Sequence, residues 1–316
     1  MKSLQHHLSE YVAARRALGT RLEEPAQTLR RFVRFLARKK TRFITIQLAL
    51  EWSQQSRDVQ RATWARKLSM VRQFARWMSV IDPRHQVPPR RLLDVRHRRG
   101  KPHIYSDEEI ARLMAEAGRL KSASGMRALT LKTLIGLLAA TGLRPGEAAA
   151  LERSDVDLEE QLLTIRESKF GKSRLVPIHP STVTALKSYA AERDRIFRHP
   201  GSSFFFVSDR GMTLDLGAVR RWMCKISRTC GLRKKAEGHR CGRGPRLQDL
   251  RHTFATRRLV EWYKAGCNVA VQMPKLATYL GHSSVGCTYW YIEAVPELLQ
   301  LATNFQLTSE QGGRQQ

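Results

Sequence analysis

Acidic residues are scarce in this chain. Asp and Glu number 28 among 316 residues, against 56 Lys and Arg, for a formal net charge of +28. Self-repulsion on that scale works against a compact state and calls for a polyanionic partner, nucleic acid first and an anionic membrane surface second. Long apolar runs are also missing. The most apolar stretch, LTLKTLIGLLAATGL from Leu129 to Leu143, has the length of a core helix and includes Lys132, which argues against a membrane span. The opening MKSLQHHLSEYVAARR lacks the apolar segment of a secretory signal, so an intracellular protein is expected. Cysteines are few, odd in number and confined to the C-terminal third: Cys224, Cys230, Cys241, Cys267 and Cys287. No disulfide framework fits that pattern, and without CxxC or HxxxH spacing a zinc site around Cys224, Cys230, His239 and Cys241 is disfavoured against free thiols. No internal repeat is visible.

What is present suits one large or two ordinary domains, since 42% hydrophobic residues can build a core. Leu29, Phe32, Val33 and Leu36 recur at helical spacing, flanked by Arg30, Arg31, Arg34 and Arg38. Trp64, Leu68, Val71, Ala75 and Met78 do the same among Arg61, Arg66, Lys67, Arg72 and Arg76. Acidic partners at helical spacing are few there, so a phosphate-tracking face is favoured over ordinary solvated charge. DPRHQVPPRRLLDVRHRRGKPHIYS, from Asp82, holds four prolines and a basic run including Arg96, Arg98, Arg99 and Lys101. It reads as an extended linker that could lie along a nucleic-acid backbone. Ser106 and Glu109 then form a capping box that opens a new helix. The predicted organisation is a helical domain over 1–81, a linker over 82–105, a second domain over 106–306 and a disordered tail over 307–316. The second domain is mixed. LLTIRES and SRLVPIH read as strands joined by the turn KFGK, FFFVSD as a short buried run, and HTFATRRLVEWYKAG and VPELLQLATNF as helices. The fold class is mainly α with a small β-sheet (α+β).

Four patches in this second domain carry chemistry. In TGLRPGEAAAL, Arg144 stands at a helix-to-helix turn, Pro145 suits the first turn of the next helix, and Glu147 can orient the guanidinium toward a phosphate. Taken alone, Arg144 reads first as an ordinary surface arginine. In LQDLRHTFATRR, Arg251 and His252 sit near the start of a helix whose free N–H groups favour an anion. The turn Lys169-Phe170-Gly171-Lys172 offers two lysines, solvated or acting as general acid. LGHSSVGCTYWYIEA closes the set with His282 and two tyrosines, Tyr289 and Tyr291, flanking Trp290.

Any one patch is weakly specific. In this order, TGLRPGE, KFGKSRLVPI, LQDLRHTFAT and LGHSSVGCTYWY resemble the tyrosine recombinase (phage integrase) family. By motif the resemblance covers about residues 105–295, and by architecture it reaches the helical N-terminal region. It implies a core-binding domain followed by a catalytic domain. It implies site-specific cleavage and rejoining of double-stranded DNA through a 3′-phosphotyrosyl intermediate, with no metal, ATP or other cofactor. Arg144 and Arg251 match the two family arginines, Lys169 the hairpin lysine with Lys172 as fallback, and His282 the LGH histidine. Glu147 and His252 match supporting positions. The family spacing from His282 selects Tyr291 as nucleophile, which leaves Tyr289 and Trp290 to pack the helix. Two residues apart on a helix, the tyrosines differ by about 200° around the axis and cannot face the same cleft.

One position departs from the pattern. Gln248 stands three residues before Arg251, where His or Lys is usual; it can donate to a phosphate oxygen but cannot shuttle a proton. Little precedes the first helix, so no separate arm-binding domain is expected. Leu298, Leu299 and Leu301 of the last helix pack either in cis or on a neighbouring protomer. The resemblance further implies a homotetramer on two DNA sites in the bacterial cytoplasm, associated with the nucleoid, with no membrane partner. A non-catalytic or attenuated DNA-binding relative and a type IB topoisomerase-like enzyme are the competing readings. Integration, transposition of a mobile element and resolution all stay open as biological roles.

Overall fold

The structure is a computed structural model of the chain. It describes residues 3–20, 22–56, 59–93, 101–166, 173–198, 201–234, 244–282, 284–294, 298 and 300. The chain divides into two compact units, Met1–Gly100 and Lys101–Gln316.

Four helices make the first unit: α1 (Leu4–Ala17), α2 (Glu23–Arg38), α3 (Ile46–Gln54) and α4 (Arg61–Ile81). Ser3 and Thr45 cap α1 and α3, each side chain accepting from a backbone N–H of the first turn. Helix α2 carries Glu23 and Glu24 at its start and Arg38 at its end, in keeping with the helix dipole. The apolar stripes predicted from spacing form the core. Leu29, Phe32, Val33 and Leu36 are buried, as are Leu68, Val71, Ala75 and Met78, while Trp64 is half-buried. Each fully buried Leu or Phe contributes roughly 1.5–3 kcal/mol. Tyr11 of α1 packs on Phe74 of α4, ring centroids 5.5 Å apart, and closes the bundle.

The second unit is built around α6 (Met126–Thr141), which packs against α5 (Asp107–Gly118), α8 (Pro180–Ile196) and α10 (Leu247–Lys264). Its apolar residues run all round the helix, the pattern of a core helix rather than a surface one. The predicted capping box opens α5, Ser106 accepting from Glu109 N–H and the Glu109 carboxylate from Ser106 N–H. Two antiparallel strands, β2 (Leu162–Ile165) and β3 (Arg174–Pro177), pair Leu163 with Val176 and Ile165 with Arg174. Leu163, Ile165 and Val176 face the core, and Leu175 points to solvent. A third strand, β1 (Val156–Asp157), completes the order β1-β2-β3; at two residues it is too short to show a period in sequence. Phe205, Phe206 and Val207 of FFFVSD are buried as predicted.

Helices α7 (Pro145–Ala149), α9 (Leu216–Thr229), α11 (Val269–Leu280) and α12 (Gly286–Ala294) complete the described unit. A second core joins α10, α11 and α12 through Leu259, Met273, Leu276, Leu280 and Tyr291, and Leu298 is buried in it. Leu298 therefore packs in cis. Leu299, Leu301 and the tail over 307–316 lie outside the described residues, as do His239 and Cys241. Among the described residues, no helix is long and apolar enough to cross a membrane.

Candidate active site

Where α11 ends, three carbonyls need partners. Gly281 terminates the helix in the left-handed region at φ 64°, and the turn N–H groups of Gly281 and His282 reach back to Thr278 O and Ala277 O. The carbonyls of Tyr279, Leu280 and Gly281 lie beyond that turn's reach, and each accepts from a different arginine. Arg174 Nε donates to Tyr279 O at 2.8 Å, Arg251 Nη2 to Leu280 O at 2.6 Å, and Arg144 Nη2 to Gly281 O at 3.0 Å. A helix C-terminus is the negative end of the helix dipole, so three guanidiniums gather there at reduced electrostatic cost. Sequence positions 144, 174 and 251 come from a turn, a strand and a helix; the α11 end is what unites them.

Arg144 is the N-cap residue of α7, with Pro145 in the first turn as predicted. Its own N–H donates to Glu147 Oε2 at 3.1 Å and its Nη1 to Oε1 at 2.6 Å. Glu147 also receives Arg174, Nη2 to Oε2 at 2.8 Å and Nη1 to Oε1 at 3.3 Å. Burial pushes the Glu147 carboxyl up, but the hydrogen bonds and charge of Arg174, with those of Arg144, outweigh it and hold the group below the usual carboxylate range. Arg251 is buried and its Nη1 donates to Gly142 O at 3.0 Å. Burial pulls its guanidinium down to about 10, and the Arg144 charge adds to that against the opposing pull of Tyr291 and Glu147. It still carries its charge at neutral pH.

Gly142 caps α6 at φ 63°, and a Cβ there would lie 2.5 Å from the Phe254 ring, which is itself stacked on Tyr279 at 5.5 Å. Gly142→Ala is therefore expected to cost about 2–4 kcal/mol through backbone strain and overpacking. Thermal unfolding reads this directly; an unchanged midpoint would mean that the turn relaxes freely.

Tyr291 and Tyr289 part company as the helical geometry requires. Tyr291 is 3% exposed and Tyr289 is 44% exposed. The Tyr291 ring lies 6.0 Å from His282, nearly parallel, and edge-on to His252 at 5.4 Å and to Trp290 at 5.7 Å. Burial raises the pKa of its phenol, while the charges of Arg251 and Arg144 draw it back down. Tyr289 does not pack as expected, because the side of α12 that carries it faces solvent. Trp290 does pack, with the two histidines completing the mount.

His282 Nδ1 lies 2.7 Å from Thr288 Oγ1, a buried residue of α12. Burial first, then the charges of Arg251, Arg144 and Arg174, lower its pKa to about 4. The imidazole is thus expected to stay neutral from pH 8 down to about 5. Its Cε1–H chemical shift checks this by NMR, and a midpoint near the ordinary value of about 6.5 would overturn it. Because the folded pKa is depressed, this group withdraws stability as pH falls from about 6.5 toward 4.

Gln248 sits half-buried in the first turn of α10, and its side chain makes no hydrogen bond among the described residues. Lys169 and Lys172 lie outside the described residues, as do Arg96, Arg98 and Arg99. In the first unit, Arg66 pairs with Glu24, and Lys67 donates to Ser56 Oγ at 3.1 Å. Arg72 donates to Pro88 O and Pro89 O, both at 2.8 Å. Arg61, Arg76 and the α2 residues Arg30, Arg31, Arg34 and Arg38 are exposed and form no ion pair among the described residues. In the second unit Lys101 is exposed.

Arg174 and Thr288 also reach the site, though the sequence motifs do not single them out. For Arg174 a signal existed: the period of two along β3 puts it on the same face as buried Val176, an unusual place for an unpaired arginine. For Thr288 none did.

Comparison with known proteins identifies the family. Residues 104–297 match the phage integrase family. A Sinorhizobium fredii chain named as an integrase/recombinase, y4rB, is 42% identical over 306 residues, covering 96% of both chains. The tyrosine recombinase XerD of Caulobacter vibrioides is 31% identical over 248 residues, covering 77% of this chain and 74% of that one. A Tn1549 transposon integrase in complex with transposon right-end DNA has a TM-score of 0.62 at 16% identity, over 92% of this chain and 94% of that one. A lambda integrase dimer bound to a COC′ core site gives 0.60 at 17% identity, over 92% and 77%. At such identities the likeness is one of fold. With the family match spanning more than half of its length and y4rB alike almost end to end, the chain belongs to the phage integrase family, the tyrosine recombinases.

Proposed function

We propose that this chain cuts and rejoins double-stranded DNA at a specific site through a covalent bond to Tyr291. The observation that carries this reading is the buried Tyr291 phenol beside Arg251 and Arg144, both anchored on the α11 terminus. Tyr291 Oη attacks the scissile phosphorus, the bond to the 5′-oxygen breaks, and a 3′-phosphotyrosyl link and a 5′-hydroxyl remain. A 5′-hydroxyl from a partner duplex then attacks the same phosphorus and releases the tyrosine. The phosphotyrosyl bond retains the phosphodiester energy, so the exchange requires no ATP.

The pentacoordinate transition state gathers negative charge on its non-bridging oxygens, where Arg144 and Arg251 meet it without a metal ion. Neutral His282 is suited to take the phenolic proton or to hydrogen-bond the phosphate. Lys169, with Lys172 as alternative, protonates the departing 5′-oxygen. Gln248 donates to a phosphate oxygen, His252 orients the tyrosine ring, and Glu147 directs Arg144. Residues 1–81 serve as the core-binding domain, with the exposed arginines of α2 and with Arg61 and Arg76 of α4 on phosphates; 82–105 link it to a catalytic domain over 106–306. A homotetramer on two DNA sites matches this chemistry, since each exchange needs two duplexes.

The test is a suicide substrate carrying the chain's own site, nicked so that the released 5′ fragment diffuses away. A covalent adduct whose modified peptide contains Tyr291 is expected. No adduct on a working site would leave a non-catalytic DNA-binding protein, and site-independent relaxation of supercoiled DNA would favour the topoisomerase reading.

A further inference from the structure

Arg174 is a guanidinium that the proposed reaction does not place on DNA. Its side chain is only 10% exposed, and its fork spans Tyr279 O and both oxygens of Glu147. Glu147 in turn holds the backbone N–H and Nη1 of Arg144. Arg174 also stands at the start of β3, two residues after Lys172, so it ties the hairpin to the same anchor as the two site arginines.

The charges make the arrangement more than a brace. Arg144, Arg174 and Arg251 set against the Glu147 carboxylate leave two positive charges, enough to balance a doubly negative phosphorane. Without Arg174 the buried carboxylate is balanced by Arg144 alone, and only the charge of Arg251 remains for the phosphate. We propose that Arg174 is a positioning residue for strand cleavage: it shares the charge of Glu147 and fixes the α11 terminus, which leaves the Arg144 charge for the phosphate and aims its guanidinium. This rests on the reading of Arg144 and Arg251 as the phosphate-binding pair.

Single-turnover cleavage of the suicide substrate tests it. The substrate is prepared once with a normal phosphodiester and once with a methylphosphonate at the scissile position, which removes one negative charge. On the phosphodiester, Arg174→Ala is expected to cleave about 10–100-fold more slowly than the parent, the range typical when a residue that orients a metal ligand is lost, with DNA affinity within about threefold. On the methylphosphonate the deficit shrinks to about threefold, because the neutral linkage needs one cation fewer. Adding Glu147→Gln to Arg174→Ala restores the two positive charges and is expected to recover about tenfold in rate. Arg174→Lys keeps the charge but cannot fork between Glu147 and Tyr279 O; it is expected to fold as the parent does and to cleave about tenfold more slowly, and it carries the test should Arg174→Ala be unstable.

An equal deficit on both linkages, no recovery in the double variant, or parent-like cleavage by Arg174→Lys would overturn the proposal and leave Arg174 a scaffold residue. A parent protein that forms no Tyr291 adduct would overturn the reading beneath it, and the proposal with it.

Discussion

Replacing Tyr291 with Phe is expected to abolish the covalent protein–DNA adduct, a loss of at least about 10³-fold, with DNA affinity within about threefold of the parent. The substitution removes one oxygen from a ring held between His282, His252 and Trp290, so the mount persists. Tyr289→Phe, at an exposed position on the same helix, is expected to leave adduct formation unchanged. The pair is a sharp test because the two residues share helix, chemistry and neighbourhood in sequence, and differ only in the direction they face. Gel detection of the adduct decides it; an adduct surviving in Tyr291→Phe would place the nucleophile elsewhere. Burial also raises the phenol's pKa, so the parent rate is expected to climb with pH above neutrality as proton loss becomes easier.

Arg251→Ala is expected to produce the second largest effect, and on two measurements at once. Cleavage falls about 10²–10³-fold, the usual consequence of deleting one preorganised donor to a developing oxyanion. Stability falls by about 2–5 kcal/mol, because the buried carbonyls of Gly142 and Leu280 both lose their donor. Arg251→Lys separates the two roles. The charge remains, but an ammonium lacks the planar fork whose separate nitrogens reach the carbonyls at the ends of α6 and α11. We expect it to recover more than half of the lost stability, read by denaturant unfolding, while cleavage remains at least about tenfold below the parent. A lysine variant that cleaves like the parent would show that charge alone suffices and that the fork is dispensable.

Much of the fold was legible because it is written in local periods. The stripes on α2 and α4, the capping box on α5, the turn through Gly142 and the β2–β3 hairpin all follow from neighbours in sequence. Strand β1 was not legible, since two residues set no period, and the exposure of Tyr289 was not, since an aromatic cluster carries no direction until its helix is packed.

The site divides along the same line. Sequence alone determined the residue types and their order: Arg144 with Glu147, Arg251 with His252, and His282 nine residues before Tyr291, each fixed by its own short motif. Only the tertiary structure decided that the terminus of α11 is the shared anchor, that Arg174 completes it, and that Tyr291 rather than Tyr289 turns inward. The physical reason is that the unsatisfied carbonyls of a helix end are backbone groups. They have no letter in the sequence, and they acquire partners only when a turn, a strand and a second helix are folded onto them.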